Sequence, residues 1–331
     1  AFRLMKLVVL ILALLIEQVR PLPYMRVVGA PLTRLANWVE NVFDSGNRQH
    51  GFLAWLLLVG GGVLLTICLD VVLSSINLLL GLAFGVLVLY LTLGFRQFSH
   101  AFTEVNEALQ ADDVPAARKA MKAWNSECPD NASSDEIARL AIETGVLASH
   151  RHVFGVLAWF VIFGPVGAVF YRLTAFLATH WNGSDRKDEE VVGEHAAEEV
   201  QVKRRQFGAF ARQAFALVDW LPARMTAVAF AIVGNFEDAI NCWREQAGTW
   251  RDHTAGVIVA AGAGALGVKL GGPLSESPVI EDEIVLDRPE IGVGEEATPA
   301  VLPSAIGLVW RALVLWVILL AVVGLAAWVG V

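Results

Sequence analysis

The sequence predicts an all-α, polytopic membrane protein, and three observations support that fold class. Apolar residue types make up 56% of the 331 residues and charged types only 18%, whereas ordinary soluble domains carry about 25% charged residues. Several apolar runs are long enough for a helix to cross a bilayer, which takes about 20 residues. The segments between these runs show the spacing of amphipathic helices. We therefore expect membrane helices joined by amphipathic helical polar regions.

The first segment, 1–51, is predicted to be an N-terminal anchor helix followed by a polar segment. Leu4–Ile16 is apolar, which suits either a signal anchor or a helix lying against the bundle. Pro21 and Pro23 follow it without a small-residue cleavage site. We expect this helix to be retained rather than removed as a signal peptide.

The clearest membrane segments are a hairpin within 52–95 and a C-terminal transmembrane helix within 304–331. Phe52–Leu73 contains one charged residue, Asp70, and Ile76–Leu93 follows after two serines. Ala305–Val331 also carries one charge, near its start. Each run is predicted to span the bilayer.

The segment 152–180 is predicted to be a broken or re-entrant membrane helix. Val153–Leu177 is long enough to cross, but Gly164 and Pro165 lie in its middle. Proline removes a helical hydrogen bond and clashes with the preceding turn. A kinked span and a helical hairpin that returns to the same side are both compatible with this pattern.

The polar regions are predicted to be 96–151, an amphipathic or embedded helical ligand region 181–274, and an acidic loop 275–303. Helices are expected at Gln97–Ser126, Ser133–Ser149, Glu198–Gly234 and Asn235–Thr249. Residues 181–303 carry 11 lysines and arginines. The positive-inside rule therefore favours a cytoplasmic location for them.

Charge and cysteine content exclude some classes of function. The net charge of −8 argues against nucleic-acid binding, which requires a basic surface. Cys68, Cys128 and Cys242 lie far apart, as structural thiols do, and none has metal-ligand or CxxC spacing. No metal site is predicted.

Three short motifs receive structural interpretations. Gly262, Gly264 and Gly267 fit GxGxxG, but a dinucleotide site needs a preceding strand, and small residues in a packed helix explain the run. Asp252-His253 is expected to be a polar helix terminus. His150 and His152 are interpreted as membrane-interface histidines.

Asp219, Arg224 and Lys269 each stand in an apolar stretch. Buried charges in membrane proteins are costly unless paired or functional. A structural Asp219–Arg224 ion pair and a ligand site are both compatible with this pattern. We predict that Arg224 and Lys269 line one polar cavity near the membrane surface.

Two motifs resemble the CobD/CbiB family. They are Trp220-Leu-Pro-Ala-Arg-Met-Thr-Ala227 and Ala263-Gly-Ala-Leu-Gly-Val-Lys-Leu-Gly-Gly-Pro273, and the segment from Phe163 to Arg172 is similar as well. The resemblance implies an inner-membrane protein of cobalamin biosynthesis. It further implies a ligase that joins an aminopropanol-type group to a corrin propionate, using ATP and Mg²⁺.

The sequence departs from that family at several polar positions. The family's Asn-Thr-Leu-Asp-Ser run reads Ala175–Thr179 here, and its paired aspartates read Phe215 and Ala216. Its Asn-Ala-Gly reads Thr254-Ala-Gly256, and a following glutamate reads Val259. Fewer carboxylates imply weak or absent Mg²⁺ binding and diverged catalysis.

Val218–Pro222 and Gly234–Trp243 resemble AmpE, a membrane protein linked to sensing, so a non-catalytic sensor is the alternative function. The expected partners are the lipid bilayer and a corrinoid or other anionic small ligand, with no nucleic acid and with an oligomer as an open alternative. No catalytic residue is assigned. The predicted ligand-binding residues are Arg224, Lys269, Asp219, Arg172, Gly271 and Gly272.

Overall fold

The computed structural model describes residues 2–20, 22–43, 48–125, 128–182, 194–274, 279–280, 283–284 and 289–329. Helices dominate it, which confirms the all-α fold class. The described α-helices are α1 (Phe2–Val19), α2 (Ala30–Phe43), α3 (Arg48–Trp55), α4 (Gly61–Ile76), α5 (Leu78–Thr92), α6 (Phe95–Gln110), α7 (Val114–Trp124), α8 (Ser134–Ser149), α9 (Gly155–Phe163), α10 (Pro165–His180), α11 (Glu194–Val233), α12 (Phe236–Gln246), α13 (His253–Leu266) and α14 (Leu302–Val329).

Within the described residues, four helical segments are long and apolar enough to cross a membrane: Gln49–Ile76, Ser134–Phe163, Gln206–Val233 and Pro299–Ala326. They make the chain a multi-pass membrane protein. The first and last contain most of the spans predicted at Phe52 and Ala305. The second arm of the predicted hairpin is the 15-residue α5, which is shorter than a full crossing. Asn77 ends α4, and its side chain accepts the N–H of Leu79 at 2.8 Å to begin α5.

The helix predicted at Ser133–Ser149 begins as expected but continues further. Ser133 and Glu136 form a reciprocal capping box at its start, which satisfies two otherwise unpaired donors. A π-helical turn, His150–Phe154, then joins α8 to α9. The result is one long helix that ends at Phe163, where the sequence had suggested a polar helix followed by a separate membrane segment.

The chain folds into two compact units. Unit 1 comprises Ala1–Leu7, Phe95–Gly155 and Pro222–Val331, and unit 2 comprises Val8–Gly94 and Val156–Leu221. The boundary in the last third of the chain falls within α11, directly before Pro222.

In unit 2, the Gly-Pro break is a sharp turn between α9 and α10. Gly164 adopts φ 68° and ψ −147°, a conformation that L side chains rarely adopt, and Pro165 begins α10. The Trp159 and Phe170 ring centroids lie 5.3 Å apart, whereas 11 residues of continuous helix would separate them by about 16 Å. The chain therefore doubles back here. Its depth in the membrane stays a prediction.

Unit 1 contains the small-residue helix α13. Asp252 caps it, accepting the N–H groups of Thr254 and Ala255 at 3.0 and 3.1 Å, which confirms a polar helix terminus. A Cβ at Gly264 would lie 2.4 Å from the carbonyl oxygen of Asp238 on α12. The glycine run thus packs helix against helix, as its sequence indicated.

Short strands follow α13, and they correct the prediction of an acidic loop over 275–303. The described strands are β1 (Val268–Leu270), β2 (Val279–Ile280), β3 (Glu283–Ile284), β4 (Ile291–Gly292) and β5 (Glu295–Glu296). β1 pairs antiparallel with β4 and parallel with β5, and β2 pairs antiparallel with β3. Ile291 on β4 is buried, so this part of the segment belongs to the packed interior of unit 1 and is not a solvated loop.

The cysteines carry no disulfide. Cys68 is exposed, whereas Cys128 and Cys242 are buried. Burial raises the pKa of the Cys242 thiol, and the negative charge of Asp238 raises it further. A buried thiol that stays protonated is unreactive, as expected for a structural cysteine.

Candidate ligand site

Asp219 lies on α11 in unit 2, and only 2% of it is exposed. The hydroxyl of Tyr171, on α10, donates to its Oδ1 at 2.8 Å. The same tyrosine ring packs against Phe215, one helical turn before Asp219. A carboxylate this deeply buried needs strong hydrogen-bond donors, and Tyr171 supplies one.

Arg172 follows Tyr171 and is also buried in unit 2. Its Nε–H donates to the Tyr24 hydroxyl at 3.1 Å. Its guanidinium carbon lies 4.7 Å from the centroid of the Tyr24 ring, within the range of a cation–π contact. Tyr24 thus orients a cation that the sequence placed in the ligand site.

Lys269 lies at the centre of β1 in unit 1. Its Nζ lies 3.2 Å from Glu290 Oε1 and 3.7 Å from Glu296 Oε1. The hydrogen bond that Lys269 donates to Glu290 and the negative charges of both glutamates raise the Lys269 pKa. Lys269 is therefore a protonated, half-buried cation with two carboxylate neighbours, in contrast to the apolar surroundings that the sequence suggested.

Gly271 and Gly272 form a turn directly after β1, with φ of 76° and 78°. The backbone N–H of Gly271 donates to Glu143 Oε1 at 2.6 Å, and Arg139 Nη2 donates to the Pro273 carbonyl at 2.9 Å. Both polar residues come from α8. The Gly271 N–H is thus engaged by a buried carboxylate, which gives this glycine a structural role.

An open cleft of about 410 Å³ adjoins this turn. It is lined by Ser133, Asp135, Glu136, Arg139, Pro273, Leu274, Glu296 and Ala297. Glu296 belongs both to this lining and to the contacts of Lys269. The glycine-proline turn and the lysine of one motif therefore lie at a single polar surface of unit 1.

His150 and Arg224 both lie in unit 1. His150 is 1% exposed, which corrects its interpretation as an interface histidine. The Thr226 hydroxyl donates to the Pro222 carbonyl at 3.0 Å, so its oxygen accepts from His150 Nδ1 at 2.9 Å. Arg224 is half-buried between these residues on α11. Its pairing with Asp219 and the cavity shared with Lys269 stay predictions.

Comparisons with known proteins decide the family of this chain. The sequence pattern described as CobD/Cbib protein matches residues 10–198 and 200–309. The chain belongs to the CobD/CbiB family. No solved structure matches it.

Several curated members of the CobD/CbiB family are similar over most of their length. The Cobalamin biosynthesis protein CobD of Stutzerimonas stutzeri (strain A1501) is 32% identical over 291 residues, which cover 87% of this chain and 88% of that protein. The protein of the same name from Chromobacterium violaceum is 32% identical over 72% of this chain and 70% of its own. That of Clostridium perfringens is 24% identical over 78% and 82%.

The CobD/CbiB resemblance implies ATP and Mg²⁺, and the described residues allow a limited test of that fit. Among them, no three His, Cys, Asp or Glu side chains converge as a protein-built metal site would require. Mg²⁺ commonly binds through one or two carboxylates together with substrate phosphates. Weak Mg²⁺ binding by the protein alone therefore stays a prediction, and the donor set is compatible with Mg²⁺ carried by a nucleotide.

Sequence reasoning assigned no site role to several polar residues that belong to the CobD/CbiB motifs, contact them or line the adjoining cleft. They are Tyr24, Glu136, Arg139, Glu143, Tyr171, His150 and Thr226. Glu136, Arg139 and Glu143 follow i, i+3, i+7 spacing, which places them on one face of α8. That polar stripe within a largely apolar helix was the signal available from the sequence.

Proposed function

We propose that the chain is an inner-membrane ligase of cobalamin biosynthesis that joins an aminopropanol-type amine to a corrin propionate. The observation that carries the proposal is the similarity to a cobalamin biosynthesis protein over nearly the whole of both chains. In the overall reaction, a carboxylate and an ammonium group form an amide and water. ATP hydrolysis to ADP and phosphate consumes that water and drives the condensation.

Within each unit taken separately, charged residues at family-motif positions support retained ligand binding. Arg172 and Lys269 are cations that match positions of the family motifs, and charge-assisted contacts to carboxylate or phosphate are strong. Asp219 carries a carboxylate one helical turn after Phe215. The family resemblance leads us to expect an acid at position 215 itself. The geometry on α11 therefore favours a shifted acidic position over a complete loss of acids.

Labelled-amine incorporation tests this function. Membranes containing the chain, from a host that lacks its own enzyme for this step, receive ¹⁵N-aminopropanol, a corrin with a free propionate, ATP and MgCl₂. We expect a labelled corrin amide by mass spectrometry, and none without ATP or with empty-vector membranes. If the Stutzerimonas protein forms the amide under these conditions and this chain does not, the ligase proposal fails and the AmpE-like sensor becomes the better hypothesis.

The proposed topology places residues 181–303 in the cytoplasm. Single cysteines at Ser184 and Ser275, which lie outside the described residues, are expected to resist an impermeant maleimide in intact cells and to react after lysis. Cys68 is exposed on α4, so the background carries Cys68→Ala. Labelling of either position from outside would place this region on the opposite side.

A further inference from the structure

Pro222 leaves a gap in the hydrogen bonding of α11. Because proline has no N–H, residue 222 cannot donate to the carbonyl of Val218, four residues earlier. A carbonyl left without a donor in a membrane helix costs free energy, since no water replaces the lost partner. Another hydrogen-bond donor has to bond to the carbonyl oxygen of Val218.

Trp159 supplies that donor. Its Nε1–H donates to the Val218 carbonyl oxygen at 3.2 Å. Trp159 comes from α9, the first arm of the Gly164 hairpin. Tyr171, on the second arm, donates to Asp219 at 2.8 Å. The two arms of one hairpin therefore hold two consecutive residues of α11.

The indole of Trp159 is itself held firmly. It stacks on Phe163 with centroids 5.6 Å apart and meets the edge of Phe170 at 5.3 Å. A Cβ at Gly167 would lie 2.0 Å from the Trp159 carbonyl oxygen. The close approach of the two arms thus fixes the backbone and the ring that support Val218.

We propose that Trp159 is a positioning residue for the Asp219 carboxylate. Without its N–H, the weakened turn of α11 can rotate or bend, and Asp219 moves relative to the Tyr171 hydroxyl. The functional part of this inference rests on the proposed ligase, in which Asp219 belongs to the ligand site. The geometric part concerns the hairpin and α11 alone.

A double-mutant cycle in unfolding tests the geometric part. Trp159→Phe is expected to lower the folded-to-unfolded ratio about three- to tenfold through the lost hydrogen bond, in addition to the effect of the lost ring packing. In a Pro222→Ala background, residue 222 regains an N–H for Val218, so the same change should lower the ratio about three- to tenfold less than in the native background. An equal cost in both backgrounds would overturn the role of Trp159 as a substitute donor.

Trp55→Phe is the matched control. The indole nitrogen of Trp55 is buried in the same unit and has no hydrogen-bond partner among the described residues. Trp55→Phe should lower the folded-to-unfolded ratio by the same factor whether residue 222 is proline or alanine. A second cycle pairs Trp159→Phe with Tyr171→Phe. If the losses in unfolding free energy of these two variants are strictly additive, Trp159 does not position Asp219.

Kinetics of amide formation test the functional part. Trp159→Phe should lower kcat by about three- to tenfold in the native background, with the KM for the corrin unchanged. Combined with Asp219→Asn, it should cause no further loss, because the group that it positions is already altered. Additive losses would overturn the positioning role. If the unfolding cycle shows coupling between Trp159 and Pro222 but the unaltered chain forms no amide, the proposed ligase is wrong and the geometric part still holds.

Discussion

Alanine in place of Gly271 is expected to lower the free energy of unfolding by about 3 kcal/mol. Residue 271 has a φ of 76°, which costs an L side chain roughly 1–2 kcal/mol. Its Cβ would also lie 2.3 Å from the Pro289 carbonyl oxygen. Backbone cannot yield as a flexible side chain does, and overpacking of this kind typically adds about 1–3 kcal/mol.

Gly272→Ala provides the matched control for this change. Its φ of 78° carries the same conformational cost, but its Cβ would meet only the end of the Arg139 side chain, at 3.3 Å. We expect a loss of about 1–2 kcal/mol. Unfolding by SDS titration in mixed micelles measures both. Equal losses for the two variants would show that the close approach to Pro289 contributes nothing.

The sequence was sufficient where a feature depends on neighbouring residues. The apolar runs around Phe52 and Ala305 predicted two spans, because about 20 apolar residues determine a membrane helix. The helix start at Ser133 and the polar helix terminus at Asp252 were predictable because they depend on side chains that bond to backbone two or three residues away. The Gly164 break followed from a proline that cannot continue a helix.

The sequence was insufficient where distant segments meet. Glu143 binds a backbone N–H 128 residues further along the chain, and no local pattern encodes that contact. His150 was misjudged because its partner, Thr226, lies 76 residues away. The strands around Lys269 are two or three residues long, too short for the two-residue period of a strand to stand out.

The family motifs could be found in the sequence, but the residues that hold their side chains in position could not. Asp219 was singled out as a costly charge and Arg172 through the family resemblance, and both are buried. Their partners Tyr24 and Tyr171 were not singled out, because a tyrosine among apolar residues is usually an ordinary core residue. Only the packing of α10 against α11 turns Tyr171 into the donor for a buried carboxylate.

Removing the Tyr171 hydroxyl therefore has the second large expected effect. Tyr171→Phe keeps the buried ring but deprives Asp219 of a donor, and hydrogen bonds to charged groups contribute about 1.5–3 kcal/mol. We expect a loss of that size in the free energy of unfolding, together with reduced amide formation.

Tyr90→Phe is the control, because the Tyr90 hydroxyl donates at the same 2.8 Å to a neutral acceptor, the Arg20 carbonyl, at an exposed site. Water can replace that partner, so the expected loss stays below about 1 kcal/mol. A Tyr171→Phe protein as stable as Tyr90→Phe would mean that Asp219 does not rely on Tyr171. In that case the buried carboxylate must owe its stability to its other contacts, and the hairpin would hold α11 through Val218 alone.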